Sequence, residues 1–285
     1  MSEGERLTHR SGGYRGDHGP VTFTSYALGA QVTSVALGDD QLFFLSDLAT
    51  YRPGAAIRGG VPVCFPWFAD GPDGDLAPSH GFVRKVEWEL IGDRGDETGH
   101  ELLWRIGSEQ VAAADGREEW PADFEAICRH AFGEDGVLIE LTVRNRGAEP
   151  ITFEELLHSY LRVDDLDALR VTGLAGARYL DKTRDLAEFT QEGDVSFTGP
   201  TDRIYASDAS LTLHDGDRTI IVDKINSANT VVWNPFDAGV AKFADLGPDD
   251  WRRFVCIEAG NVRENAITVD PGAEHTFGTR IRRAP

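Results

Sequence analysis

Residues 137–143 read Val-Leu-Ile-Glu-Leu-Thr-Val, and their alternation decides the fold class. Val137, Ile139, Leu141 and Val143 share one face, the period of two that a pleated strand imposes on side chains. Upstream, 82–90 (FVRKVEWEL) repeats the pattern, with Val86, Trp88 and Leu90 opposite Lys85, Glu87 and Glu89. Segments 31–37, 41–45, 151–163, 211–213, 219–225, 230–233, 253–258 and 266–269 read as further strands. Asp-Gly pairs at 70–71, 73–74, 115–116, 135–136 and 215–216 punctuate them. The last lies between SLTLH and DRTIIVDKI and predicts a hairpin, because Asp-Gly suits the tight turn that joins paired strands. Asp270-Pro271-Gly272-Ala273 is expected to turn AITV back into EHTFGTRI. No stretch beyond about 12 residues carries a clean 3.6-residue apolar period, and 107–127 reads as loop with a short helix.

Many short strands, frequent turns and no alternating helices predict an all-β chain, a large antiparallel β-sandwich. With no linker and no internal repeat, one two-sheet domain over 20–285 is expected, after a flexible polar lead-in at 1–19. Of the 285 residues, 41% are hydrophobic, enough to bury a sizeable core. No apolar run approaches the roughly 20 residues of a membrane helix, and the first residues contain no apolar leader core. A cytoplasmic protein is the expectation. Cys64, Cys128 and Cys256 are odd in number and widely spaced, which argues against a disulfide framework or a structural zinc site. They read as small buried apolar residues.

Forty-eight acids against 28 bases give a net charge of −20, so nucleic acid is not an expected partner. An anionic ligand would need arginines that concentrate positive potential locally. Nucleotide-binding glycine motifs, the serine-nucleophile elbow and paired-histidine metal motifs are all missing. No cofactor and no metal are therefore expected, and acid–base chemistry by ordinary side chains remains.

Two residues suit such chemistry. In FEELLHSYLRV, alternation puts Leu157, Ser159, Leu161 and Val163 toward the core and Leu156, His158, Tyr160 and Arg162 on the other face. His158 there reads either as a hydrogen-bonded structural histidine or as part of a cleft. In RRFVCIEAGNV, Glu258 shares a face with Phe254 and Cys256 at the end of an apolar strand. It is either a solvated strand end or a buried carboxylate, whose burial would raise its pKa toward that of a useful general base. Arg58, before Gly59-Gly60, and Arg84, in SHGFVRK, are candidate anion ligands, since guanidinium forks match phosphate. The glycines after Arg58 would let backbone approach a ligand. Phe65, Trp67, Phe68, Phe82 and Trp233 read as core or as a sugar-stacking wall.

In order, RGGVPVCFPWF, HGFVR, LLHSYLRV, TDRIY, VVWNPF and FVCIEAGNV resemble the signature blocks of the hexose-6-phosphate mutarotases, within the aldose 1-epimerase superfamily. The resemblance runs from about residue 30 to 282. It implies a galactose mutarotase-like supersandwich with a sugar on its concave face. It further implies that His158 and Glu258 are catalytic, that Asp202 binds sugar hydroxyls, and that Arg58 and Arg84 bind substrate through its phosphate. Ser79 stands where similar proteins usually carry glutamine, so a contact from it would run through a bridging water. Glu258-Ala259-Gly260 replaces the usual Glu-Pro-Gly, and His80 is ranked as structural.

The expected reaction is interconversion of the anomers of glucose 6-phosphate or a similar hexose 6-phosphate. Glu258 would take the proton from O1 and a protonated His158 would give one to O5, the two groups standing on opposite sides of the hemiacetal. The neighbouring carboxylate would keep His158 charged near neutral pH. A mutarotase of unphosphorylated aldoses and a non-catalytic carbohydrate-binding module are the alternatives. No interface stripe is visible, and a monomer is expected.

Overall fold

Two large antiparallel sheets form the centre of the computed structural model, which describes residues 5–6 and 12–284. The first has eight strands, in the order Arg170–Thr172, Leu211–Asp215, Arg218–Ile225, Glu274–Arg283, Gly136–Asn145, Phe124–Gly133, His100–Gly107 and Glu89–Gly95. The deciding stretch lies in its middle, with Val137, Ile139, Leu141 and Val143 all buried. On the opposite face Glu140 accepts a hydrogen bond from Arg129 at 2.7 Å. The second sheet runs Ala187–Thr190, Arg178–Asp181, Thr201–Ala206, Asn229–Asn234, Phe254–Asn261, Glu155–Leu157 and Val63–Cys64, with Tyr160–Arg162 also paired to Phe254–Asn261. A five-stranded sheet built from residues 5–41 and a two-stranded pair, Ile151–Phe153 with Ile267–Val269, complete the frame.

One buried cluster runs through all of this, from Tyr14 and Phe23 through Phe132 and Leu157 to Ile281. Each large side chain so buried contributes about 1.5–3 kcal/mol. The three cysteines are free and buried inside it or beside it. Among the described residues no helix is long and apolar enough to cross a membrane.

Several elements differ from their sequence reading. Gly13–His18, assigned to the polar lead-in, is a strand paired with Val21–Tyr26. Its one large apolar side chain, Tyr14, is buried, and Gly16 leaves room for the Phe23 ring, so hydropathy gave no warning. Apart from residues 5–6, the lead-in before residue 12 lies outside the described residues. The strand expected over 82–90 starts only at Glu89. Val83–Lys85 is a 3-10 turn, and the Trp88 indole donates to the Val83 carbonyl at 3.0 Å, packing from a loop. Of 41–45, only Gln41 stands in a strand (Asp40–Gln41), while Phe43 and Leu45 make isolated bridges. The 151–163 stretch breaks into Ile151–Phe153, Glu155–Leu157 and Tyr160–Arg162.

The hairpin expected at 215–216 forms, with Asp215 paired to Arg218. The turn at 270–273 also forms, Ala273 N–H donating to Asp270 at 3.0 Å. It closes no hairpin, because Ile267–Val269 pairs with Ile151–Phe153 and Glu274–Arg283 joins the first sheet.

Candidate active site

The Phe254–Asn261 strand is buried over its whole length, which is unusual for a segment that includes a glutamate. Its neighbours explain how that glutamate meets the histidine. Glu155, Leu156 and Leu157 pair with Asn261, Gly260 and Ala259, and Tyr160 pairs with Cys256. The register is the same on both sides of the break at 158–159, so His158 falls opposite Glu258. On the other flank Val231 pairs with Glu258 and Trp233 with Cys256, and beyond them Ile204 pairs with Val231 and Asp202 with Trp233. Two parallel rows result, His158–Glu258–Val231–Ile204 and Tyr160–Cys256–Trp233–Asp202. Side chains two apart on a strand share a face, so both rows project the same way.

From these rows His158, Glu258, Val231, Trp233 and Asp202 line a cavity of about 340 Å³, together with Arg58, Phe68, Ser79, His80, Arg84, Lys182 and Phe243. Its size is that of a small-ligand site. His158 Nε2 lies 3.4 Å from Glu258 Oε1, and the two residues are 7% and 1% exposed. The groups therefore stand side by side, not across a hollow as the sequence reading pictured them. Three rings fix the imidazole. Tyr160 stacks on it at 4.7 Å, and His80 and Trp233 meet it edge-on at 5.5 and 5.7 Å. His158 Nδ1 and Glu258 Oε2 are buried without hydrogen-bond partners, each a cost unless a ligand satisfies it.

The cations arrive from separate loops. Arg58 donates to the Tyr160 hydroxyl at 2.7 Å, pairs with Asp245 at 3.1 Å and lies over the Phe243 ring. Gly59 and Gly60 are not among the residues that line the cavity. A Cβ on Gly59 would stand 2.4 Å from the Phe44 carbonyl and one on Gly60 2.2 Å from that of Val32, so both glycines serve backbone packing. Arg84 donates to the Ser79 carbonyl at 2.8 Å, and its Nε is buried without a partner. Ser79 thus lines the cavity but contributes its backbone to Arg84, and its side chain is exposed. Asp202 is 3.2 Å from Lys182 Nζ, which also lies over Phe68.

All six residues singled out in the sequence, Arg58, Ser79, Arg84, His158, Asp202 and Glu258, line this one cavity. Of the aromatic candidates, Phe68 and Trp233 line it, while Phe65, Trp67 and Phe82 pack in the core. Lys182 and Phe243 went unnoticed, and His80, ranked as structural, faces the cavity. Its Nδ1 accepts the Ala69 N–H at 3.3 Å, which leaves the proton on Nε2.

An aldose 1-epimerase family profile matches residues 14–282, almost the whole chain. The chain belongs to the aldose 1-epimerase family. It is 35% identical to a protein of Salmonella typhimurium provisionally named glucose-6-phosphate 1-epimerase, over 85% of this chain and 80% of the relative. A Cenchrus ciliaris protein of the same provisional name is 33% identical, over 87% and 77%. The crystal structure of a provisionally assigned mutarotase from Salmonella typhimurium superposes with a TM-score of 0.87 at 30% identity, covering 99% of this chain and 92% of that one. The fold is the galactose mutarotase-like supersandwich.

Electrostatics in this aldose 1-epimerase depart from the sequence expectation. Burial, then the charges of Arg84 and Arg58, hold the His158 imidazole well below its ordinary pKa, which favours the neutral ring. Burial, then Asp202, pushes the Glu258 carboxyl well above its ordinary value, which favours the protonated acid. The carboxylate was expected to keep the histidine charged, but desolvation and two arginines outweigh it. A neutral imidazole beside a carboxylic acid holds the same number of protons as an imidazolium beside a carboxylate. The pair therefore shares one proton, whichever group carries it.

His158, Cys256 and Glu258 also present three possible metal-ligating atoms within 4.8 Å of one another. The donor set fits a cation poorly. Burial holds the Cys256 thiol protonated, and Arg58, Arg84 and Lys182 line the same cavity.

Proposed function

We propose that this member of the aldose 1-epimerase family is an isomerase that interconverts the α and β anomers of a hexose 6-phosphate, glucose 6-phosphate being the expected substrate. The reading is carried by one observation, the 3.4 Å contact of His158 and Glu258 inside a cavity that arginines also line. Ring opening removes a proton from O1 and adds one to O5. Both oxygens sit on C1, so two groups this close together can serve both.

Glu258 carboxylate takes the O1 proton and the His158 imidazolium protonates O5. The C1–O5 bond breaks to the open aldehyde, and the pair is left as carboxylic acid and neutral imidazole. After rotation about C1–C2 the pair runs backwards: His158 takes the O5 proton as O5 attacks C1, and Glu258 returns a proton to O1. One proton circulates and none is lost, so the pair alternates between an ionised form for the ring and a neutral form for the open chain. Each acid–base group contributes on the order of 10²–10⁴-fold.

Asp202, held by Lys182, is the acceptor for sugar hydroxyls. Arg84 and Arg58 take the phosphate, overcoming the repulsion of a chain with a net charge of −20. The protein is assigned to the cytoplasm and to a monomeric state.

Anomer exchange of glucose 6-phosphate, followed by NMR, tests the reading. His158→Ala and Glu258→Gln should each retain well under a tenth of the enzymatic rate with an unchanged far-ultraviolet circular dichroism spectrum. A binding module would show sugar affinity with no exchange above background in the unmutated protein.

A further inference from the structure

Three cations line the cavity, Arg58, Arg84 and Lys182, whereas outside the His158–Glu258 pair only Asp202 and Asp245 among the described residues engage them. The pair itself is neutral in either proton arrangement, so the residues lining the cavity carry unmatched positive charge. That charge is distributed unevenly along the pair. Arg58 reaches His158 through a single residue: its Nη1 donates to Tyr160 at 2.7 Å, and the Tyr160 ring stacks on the imidazole at 4.7 Å. On Glu258 the largest charge effect is that of Asp202, opposed by its ion-pair partner Lys182 and, after it, by Arg84. Lys182 adds a smaller positive effect at His158, and the remaining ionisable groups that face it are uncharged. Tyr160, Cys256 and Cys64 are buried and keep their protons, and burial keeps His80 neutral. The arginine field thus acts mainly on the imidazole and opposes the ionised form of the pair, the form that opens a ring.

We propose that the substrate's phosphate is an activator of the His158–Glu258 pair as well as an anchor, so that a free aldose becomes a substrate once a separate tetrahedral oxyanion occupies the arginine end of the cavity. A dianion against Arg84 and Arg58 cancels their field where it is strongest, at the imidazole, and brings the ionised and neutral forms of the pair closer in energy. A cycle that alternates between two forms runs fastest when neither is a trap. Discrimination against free glucose then lies in kcat, beyond the KM effect of a lost contact. This rests on the mutarotase reading, and the first measurement separates the two.

The purified protein is first assayed on glucose 6-phosphate; absence of turnover would remove the mutarotase reading itself. With turnover in hand, glucose mutarotation is measured with increasing phosphite dianion, subtracting the rate that phosphite supports without protein. We expect a saturable rise in enzymatic kcat of about tenfold or more, the factor that one pKa unit is worth. In Arg84→Ala the phosphite response should vanish. In ¹⁵N-histidine spectra near pH 6.5, the His158 ring should be neutral in the free protein and protonated with 1,5-anhydroglucitol 6-phosphate bound. Phosphite that competes with glucose 6-phosphate yet leaves glucose turnover unchanged would overturn the proposal, as would a His158 ring that stays neutral with the analogue bound.

Discussion

Arg58 and Arg84 have different surroundings, and their variants should differ accordingly. Arg84 has a single backbone acceptor and a bare Nε, so its removal strands nothing else. Arg84→Ala should lower kcat/KM for glucose 6-phosphate roughly ten- to hundred-fold, the worth of one hydrogen bond to a charged group, and spare free glucose. Arg58→Ala also releases Tyr160 and leaves Asp245 unpaired, so it should impair both sugars. Parallel kinetics on the two substrates check this, and equal losses on both for Arg84→Ala would remove that residue from phosphate binding. Alternation gave the faces of His158 and Glu258, and only the resemblance to the mutarotases singled them out as a pair. Their proton arrangement was not legible, since it depends on arginines that arrive from other loops. Lys182 was invisible for a related reason. It sits in the polar run Asp-Lys-Thr-Arg-Asp, on a 3-10 turn capped by Asp181, where a lysine aimed inward reads like any solvated one.

Elements were legible where both faces of a strand have different company, as in Gly136–Asn145 and Leu211–Asp215, whereas Phe124–Gly133 alternates as cleanly and went unread. They were misread where alternating residues make only an isolated bridge, as at 86–88, where Glu87 pairs with Leu28, or where glycines replace a hydrophobic face, as in Gly13–His18. The break at 158–159 was equally hidden, because pairing resumes in the same register after it. The turn after Arg58 tests how tightly elements are pressed together. Gly60 has φ +60°, and a Cβ there would lie 2.2 Å from the Val32 carbonyl and 2.7 Å from Thr33 Cα. Gly54 has φ +86° but open space around it, so an alanine there meets only backbone strain, about 1–2 kcal/mol. Gly60→Ala adds a clash with buried main chain and should cost more than about 3 kcal/mol in urea unfolding. Equal costs at the two sites would show that the Val32 segment yields freely.

Across the whole molecule, one continuous core lets a site on the second sheet inherit its rigidity from strands more than a hundred residues away. Such a core also buries titratable groups, which makes stability depend on pH in a direction that can be worked out. His130 is fully buried between Ser25 and Cys128, and burial pushes its pKa down to about 3. In the unfolded chain a histidine titrates near 6.5. As pH falls below about 6.5 the unfolded state takes up a proton that the folded state refuses, so this contribution is whole above pH 6.5 and lost progressively toward pH 3. The slope is one proton, about 1.4 kcal/mol per pH unit, and the total is of order 5 kcal/mol. His80 and His158 act in the same direction. Glu155, Glu258 and Asp202 have raised folded pKa values and oppose it, their contribution being present at low pH and lost as pH rises. The net slope is therefore mixed, but the share of one histidine can be isolated by difference. In His130→Asn, which cannot take the proton, unfolding free energy from urea titrations should fall less steeply between pH 6 and 4 by about 1.4 kcal/mol per pH unit than in the unmutated protein, whatever the variant costs at neutral pH. Identical slopes would mean that His130 is protonated in the folded state after all.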